Sequence, residues 1–385
     1  MKNLFLPGID TLLATHRRWL RGHRIGLVSH AAALSVTGYT SADLLFQKGV
    51  AIRALFGPEH GFFGVGVAGE KVGHQQHPEL RIPVYSLYGA QRKPTATMFR
   101  GLDLILIDLQ DLGCRCYTFA STLRYVLEQA ADCGLPVIVA DRPIPQPRVL
   151  DGPILDPAFE SFVGLIPAPL LYGMTPGETA LWLKHVLNLK LDVRVAPMQG
   201  YDRNSGRGTD WPAWLPPSQG IRTWETGVCY LATVFTEALP AINNGRASNL
   251  AFQVFAAPWM KSRPVRDALN ALRLPGVTFH THPYKTTVSD VVHDGVRIGV
   301  TDTAQFKPVR TSVAILACLR DLYGIRRVFQ HTGARPEFFD KLYGTDTVRR
   351  ALMAGDSPAM IWRRWGKGLK RFNVERQRWM LYEEG

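Results

Sequence analysis

The sequence predicts an α/β protein, with a mostly parallel sheet in residues 1–200 and a second, α+β region in residues 201–385. Three observations carry that expectation. At 385 residues the chain is longer than one hydrophobic core usually serves. Its first half alternates short apolar runs with amphipathic stretches, the pattern of parallel strands joined by crossover helices. Beyond residue 200 the texture changes to an aromatic, proline-rich loop, Trp211-Pro212-Ala213-Trp214-Leu215-Pro216-Pro217-Ser218, and then to Val- and Phe-rich runs mixed with helices.

Taken in order, apolar runs predict strands at 24–29, 51–56, 102–108 and 136–140. Helices are expected between them at 41–47, 96–100 and 121–133, the last with Leu123, Val126, Leu127 and Ala130 on one face. Each strand delivers a polar cluster at its carboxyl end: Ser29-His30, Glu59-His60, Asp108 with Gln110 and Asp111, and Asp141-Arg142. In an open parallel sheet those ends share one edge, so the four clusters are expected to converge on one crevice. Residues 143–157, rich in Pro and Gly, are expected to cross the surface. A helix start follows at Thr175-Pro176-Gly177-Glu178, where Thr175 caps, Pro176 takes the first helical position and Glu178 closes a capping box. Further elements are expected at 250–255, 296–301 and 311–322.

The net charge of +13 is spread along the chain without a basic block, which disfavours a nucleic-acid partner. Five cysteines, at 114, 116, 133, 229 and 318, have neither zinc spacing nor the density of a disulfide scaffold, and read as reduced thiols. Pro7 and Gly8 interrupt the N-terminus before an apolar segment of signal length, and no run of about 18 apolar residues occurs, so no membrane span is expected and the cytoplasm is the default. Neither a phosphate-binding glycine loop nor a nucleophile elbow is present, and no cofactor is expected.

The most informative segment is Phe56-Gly57-Pro58-Glu59-His60-Gly61-Phe62, a strand exit that displays a carboxylate and an imidazole between glycines. Glu59 is the candidate acid or base, because Gly57, Pro58 and Gly61 fix the loop around it. His60 is a candidate substrate contact. Residues 108–118 add two carboxylates, a guanidinium and a phenol. Carboxylates this close resemble a hard-metal site, but the remaining oxygen ligands are missing. Arg115 is a fork for a carboxylate, either Asp111 within the fold or an acidic substrate. Tyr117, set across a cleft from an acid, can serve as proton donor or nucleophile.

Residues 56–64, Pro83-Val84-Tyr85-Ser86-Leu87-Tyr88-Gly89, Asp108-Leu109-Gln110-Asp111-Leu112-Gly113, Arg115 with Tyr117-Thr118, Asp141-Arg142-Pro143, Gly173-Met174-Thr175 with Gly177-Glu178, and Gly245-Arg246 together resemble the DUF1343 family, the NamZ-type exo-β-N-acetylmuramidases. The likeness continues through 299–302, 339–346 and 378–382. It implies a Rossmann-like catalytic domain, an auxiliary C-terminal domain and a cleft between them. The implied reaction is hydrolysis of terminal, non-reducing β-1,4-linked N-acetylmuramic acid from peptidoglycan fragments, so the implied partner is a saccharide or muropeptide. The implied catalytic pair is Glu59 with a tyrosine, Tyr117, or else Tyr85, Tyr88 or Tyr172. Arg115, Arg142 and Arg246 are candidates to hold the lactyl carboxylate, with Asp111, Asp141, Tyr172 and Glu178 as further substrate contacts. The group opposite Glu59 is Tyr117, Asp111 or the substrate's own acetamido group. The chain departs from the family pattern at Tyr172, Asn243-Asn244, Gln219-Gly220 and Ile144, positions expected to face the site. Those departures leave a second possibility, a non-catalytic muropeptide-binding protein on the same fold.

Overall fold

The computed structural model describes residues 5–64, 73, 75–204 and 214–382. Its strands are β1 (Ile25–Ser29), β2 (Ile52–Gly57), β3 (Gln75–Gln76), β4 (Pro83–Ser86), β5 (Leu104–Asp108), β6 (Val137–Ala140), β7 (Asp151–Ile154), β8 (Pro169–Leu171), β9 (Val193–Ala196), β10 (Val254–Phe255), β11 (Val277–Thr286) and β12 (Ser289–Val300). Seven of them form one sheet in the order β3-β4-β2-β1-β5-β6-β9, parallel throughout except for the short β3 at its edge. Without β3, the order runs outward from β1 in one direction through β2 and β4, and in the other through β5, β6 and β9. This is the doubly wound order, with its reversal between β1 and β5.

Strand β5 explains why the sheet is covered on both faces. Its residues are all buried, and they alternate between two cores. Leu104 and Leu106 pack with Ile9 and Leu12 of the helix Gly8–Thr15 (α1) and Leu44 and Leu45 of Ser41–Gln47 (α2). Ile105 and Ile107 pack with Leu123, Val126 and Leu127 of Phe119–Asp132 (α4), which follows the single turn Ala96–Phe99 (α3). This second core continues into the C-terminal half through Phe235, Phe255, Phe279 and Leu316, so the two halves share one apolar interior.

Helix α5 (Pro176–Val186) begins with the expected capping box, Thr175 N–H donating to Glu178 Oε2 at 2.9 Å and Glu178 N–H to Thr175 Oγ1 at 3.3 Å. Two expectations change. Residues 143–157 do not cross the surface: they are largely buried and include β7, paired with β8. Of 250–255 only Val254 and Phe255 are strand, while 296–301 is the end of a much longer antiparallel hairpin, β11–β12. The expected helix at 311–322 spans Pro308–Tyr323. Among the described residues no helix is long and apolar enough to cross a membrane. The expected loop at 211–218 lies outside the described residues up to 213.

Candidate active site

The exit of β2 is held by close backbone contacts. Gly57 has no room for a side chain, since a Cβ there would lie 2.2 Å from the Phe62 nitrogen. Its carbonyl accepts from Leu87 N–H at 2.8 Å, tying the loop to the end of β4, and Gly61 N–H donates to Pro58 O at 2.9 Å. His60 adopts φ 73°, a left-handed conformation that costs a non-glycine residue about 1–3 kcal/mol and is retained only where surroundings enforce it. The turn places Glu59 in the wall of a cavity of about 540 Å³, a volume suited to a small ligand.

Around Glu59 the polar contacts come from two other strand exits. Thr118, which precedes α4, donates from Oγ1 to Glu59 Oε2 at 2.7 Å. Tyr88, beyond β4, donates its hydroxyl to the same carboxylate, and burial together with Glu59 pushes the phenol up to about 12. Tyr117 lines the wall beside them. Its hydroxyl is buried next to Ser218 without a well-formed hydrogen bond, and burial raises its pKa well above the ordinary phenol value.

The C-terminal half contributes Glu237, Arg246, Arg335 and Lys341 to the wall. Arg246 is presented by a turn whose Gly245 has φ 70° and would clash with Val254 at 2.4 Å if it carried a Cβ. Its Nη1 donates to Glu237 Oε1 at 2.6 Å. Glu237 sits on the 3₁₀ turn Val234–Ala238 that follows Trp224–Thr233 (α6), and Arg335 donates to its backbone carbonyl. With Arg92, whose guanidinium lies 4.8 Å over the Phe162 ring, the cavity holds, among the described residues, four cationic side chains against the carboxylates of Glu59 and Glu237.

Of the residues expected at the site, Glu59, His60, Tyr117 and Arg246 line this cavity. The other six are spent inside the protein. Arg142 is 3% exposed and forms a bidentate pair with Asp108, while its Nη1 donates to Leu34 O at 2.8 Å. Asp141 accepts from Thr175 Oγ1, Gly177 N–H and the Tyr382 hydroxyl at 2.6–2.7 Å, and burial raises it to about 7. Asp111, also raised to about 7 by burial, accepts from Leu112 N–H at 2.7 Å and the Tyr172 hydroxyl at 3.1 Å. Tyr172 is thereby accounted for as well. Glu178 closes its capping box and receives Arg203 and the Leu381 N–H. Arg115, expected to face a carboxylate, instead donates to the carbonyls of Pro153, Ala168 and Tyr343, and lacking an anion it is pulled down by burial to about 9.

The expected convergence of four strand ends on one crevice is therefore corrected. At the reversal between β1 and β5, His30 Nε2 accepts from Gln110 N–H at 3.0 Å, and Ser41 and Arg142 saturate Asp108. The ends of β1 and β6 and the Asp108 end of β5 are sealed by protein, and the open volume is displaced toward the ends of β2 and β4 and the 116–118 segment that leads from β5 into α4. The departures at Tyr172, Asn243-Asn244, Gln219 and Ile144 also fall outside the cavity wall, although Gly220 and Ser218 are in it. Asn243 accepts from Gly245 N–H and from Tyr284, and so shapes the turn that presents Arg246. Sequence reasoning missed Glu237, Arg335, Lys341 and Arg92. The first three lie on a 3₁₀ turn, at a helix start and inside a helix, where no local pattern marks a site residue. Among the described residues no three carboxylate, imidazole or thiol groups gather as a metal would require.

Comparison with known proteins places these residues in a family. Residues 25–225 match the family described as exo-beta-N-acetylmuramidase NamZ, N-terminal, and residues 228–382 match its C-terminal counterpart. The chain is 36% identical over 380 residues to the peptidoglycan beta-N-acetylmuramidase NamZ of Bacillus subtilis (strain 168), covering 97% of this chain and 91% of the relative. A DUF1343 family protein from Bacteroides fragilis NCTC 9343 superposes with a TM-score of 0.91 at 29% identity, over 98% of this chain and 99% of that one. A second protein of that description, from the same organism, has the same fold at 24% identity, with a TM-score of 0.75 over 99% of each chain.

Proposed function

The chain belongs to the NamZ family of exo-β-N-acetylmuramidases, the DUF1343 proteins, and from that premise we infer that it is a glycosidase releasing terminal, non-reducing N-acetylmuramic acid from peptidoglycan fragments. One observation carries the assignment to this cavity: a glutamate on a constrained strand exit lies in a sugar-sized cavity where, among the described residues, cations outnumber carboxylates. A neutral glucosaminide has no use for that surplus of positive charge. Muramic acid does, through its lactyl carboxylate. Arg246 and Arg335 are engaged at Glu237, which leaves Arg92 and Lys341 as the proposed readers of that group.

Glu59 is the proposed proton donor to the glycosidic oxygen. Tyr117 and Tyr88 act as neutral phenols, because burial keeps both from ionising near neutral pH. Tyr117 is then a wall and hydrogen-bond donor rather than a nucleophile. The binding-protein alternative loses support, since neither Tyr172 nor Asn244, the departures that suggested it, lines the cavity, and Asn244 instead accepts from the backbone N–H of Arg246 at 3.3 Å.

We keep residues 1–200 and 201–385 as the proposed units, with the second forming a wall of the site rather than an accessory. A cytoplasmic location is proposed on five unpaired cysteines, and cell fractionation decides it. The activity is tested with a chromogenic β-N-acetylmuraminide beside the corresponding glucosaminide. Release of chromophore from the muraminide alone is the expected result, and binding without release from either would overturn the enzymatic assignment.

A further inference from the structure

Hydrolysis of a glycoside requires one group that gives a proton to the departing oxygen and another that takes the proton of whatever attacks the anomeric carbon. Glu59 fills the first role in the reading above, on which this inference rests. For the second, the sequence offered Tyr117, Asp111 or the substrate's acetamido group. Asp111 is buried against Leu112 and Tyr172 and does not reach the cavity. Tyr117 is held as a neutral phenol, which is not a base.

Glu237 has the required properties. It lies in the same cavity as Glu59, on the wall contributed by the other half of the chain, with its side chain 23% exposed. The Arg246 guanidinium binds Oε1 at 2.6 Å and favours the charged form, the form that accepts a proton. Arg335 anchors the backbone beneath it, so the carboxylate stands on a fixed support. Burial is the largest influence on its ionisation and raises the pKa, the charge of Glu59 pushes the same way, and Arg246 opposes both. A carboxylate raised toward the working pH is a stronger base than one left at its ordinary value.

We propose that Glu237 is the second catalytic carboxylate of this site, accepting the proton of the group that attacks the anomeric carbon. As Glu59 gives its proton to the glycosidic oxygen, the bond from that oxygen to carbon 1 breaks and its electron pair stays on the leaving sugar. A new bond forms at carbon 1 from an oxygen of either water or the substrate's acetamido group, and the proton of water or of the acetamido N–H passes to Glu237. In the first case the products form directly. In the second a neutral oxazoline forms; water then adds to carbon 1, giving its proton to Glu59 while Glu237 returns its own to nitrogen.

The test compares wild type, Glu59→Gln, Glu237→Gln and Glu237→Asp on β-N-acetylmuraminides carrying 4-nitrophenol and 2,4-dinitrophenol as leaving groups. Glu237→Gln is expected to lower kcat by about 10²–10⁴-fold on both substrates, whereas the loss in Glu59→Gln shrinks on the better leaving group, which needs no proton. Glu237→Asp keeps the charge but withdraws it by one methylene, and is expected to lose kcat with an unchanged melting temperature. The first-formed anomer read by NMR separates the two attacking groups, inverted for water and retained for acetamido. A Glu237→Gln enzyme within about threefold of wild-type kcat would overturn the proposal, as would a loss that the better leaving group repairs. If wild type releases nothing from a muraminide, the proposed function fails instead.

Discussion

Two polar regions lie at the carboxyl edge of the same sheet, built from the same residue types, and they behave oppositely. At the reversal between β1 and β5, His30, Asp108, Asp141 and Arg142 are all under 4% exposed and bonded to one another or to nearby hydroxyls and backbone. Around the exits of β2 and β4, Glu59, Tyr88, Arg92 and, from the other half, Glu237 and Arg246 surround open volume. The first region is an internal brace and the second a workplace. What separates them is whether neighbouring elements supply enough partners to use up each polar group, a quantity that residue identity does not contain.

That contrast can be broken by experiment. The largest effect is expected at Glu59: Glu59→Gln should lower kcat on a muraminide by about 10²–10⁴-fold while leaving the urea midpoint in place. Retained turnover would mean that the open region is not the workplace. The brace should respond in reverse. Arg142→Met leaves the Asp108 carboxylate buried without its cation, and removing one partner of such a pair costs about 3–5 kcal/mol. Denaturant unfolding should register that loss, while kcat per folded molecule stays near wild type.

A smaller effect sharpens the comparison within the cavity. Arg92→Gln and Lys341→Gln should each raise KM for the muraminide by about tenfold, the equivalent of about 1.4 kcal/mol from one charge-assisted hydrogen bond. Any weak turnover of the glucosaminide should be unchanged, and an equal rise on both sugars would remove the lactyl assignment.

The smallest effect is the pH dependence of the brace. His30 is held down to about 3 from 6.5 by burial and by Arg142. Between those values the unfolded chain binds a proton that the folded chain refuses, so stability falls as pH falls through that window. Asp111 and Asp141 are raised from 3.8 to about 7, so between those values the folded chain keeps protons the unfolded chain releases, and stability falls as pH rises. Between pH 4 and 7 the two contributions oppose each other, so His30→Gln should make the melting temperature fall more steeply as pH rises. Asp111→Asn should flatten that fall. Neither should move the pH profile of kcat.

Legibility followed the range of the forces involved. The helix Ser41–Gln47 and the capping box at Thr175 and Glu178 were readable because caps and periodicity act within a few residues. The strands were readable because a strand buried on both faces must be apolar without interruption, as Leu104–Asp108 is up to its last residue. The hairpin β11–β12 was read only at its end, since its outer part is largely exposed and carries His, Lys and Asp among its β-formers. Arg115 was misread because a buried guanidinium that donates to three carbonyls looks, in sequence, like one awaiting a carboxylate.

By itself the sequence determined the parallel sheet, the helices that cover its first half and the loop that displays Glu59, all of which depend on local periodicity, glycine geometry and apolar runs. Only the tertiary structure decided which polar clusters would be consumed and which would face open volume, and it alone brought Glu237, Arg246 and Arg335 into one cavity with Glu59. The physical reason is that hydrogen-bond saturation is settled by partners distant in the chain. A glutamate at 59 and another at 237 become one site only when two halves sharing a single core close around the space between them.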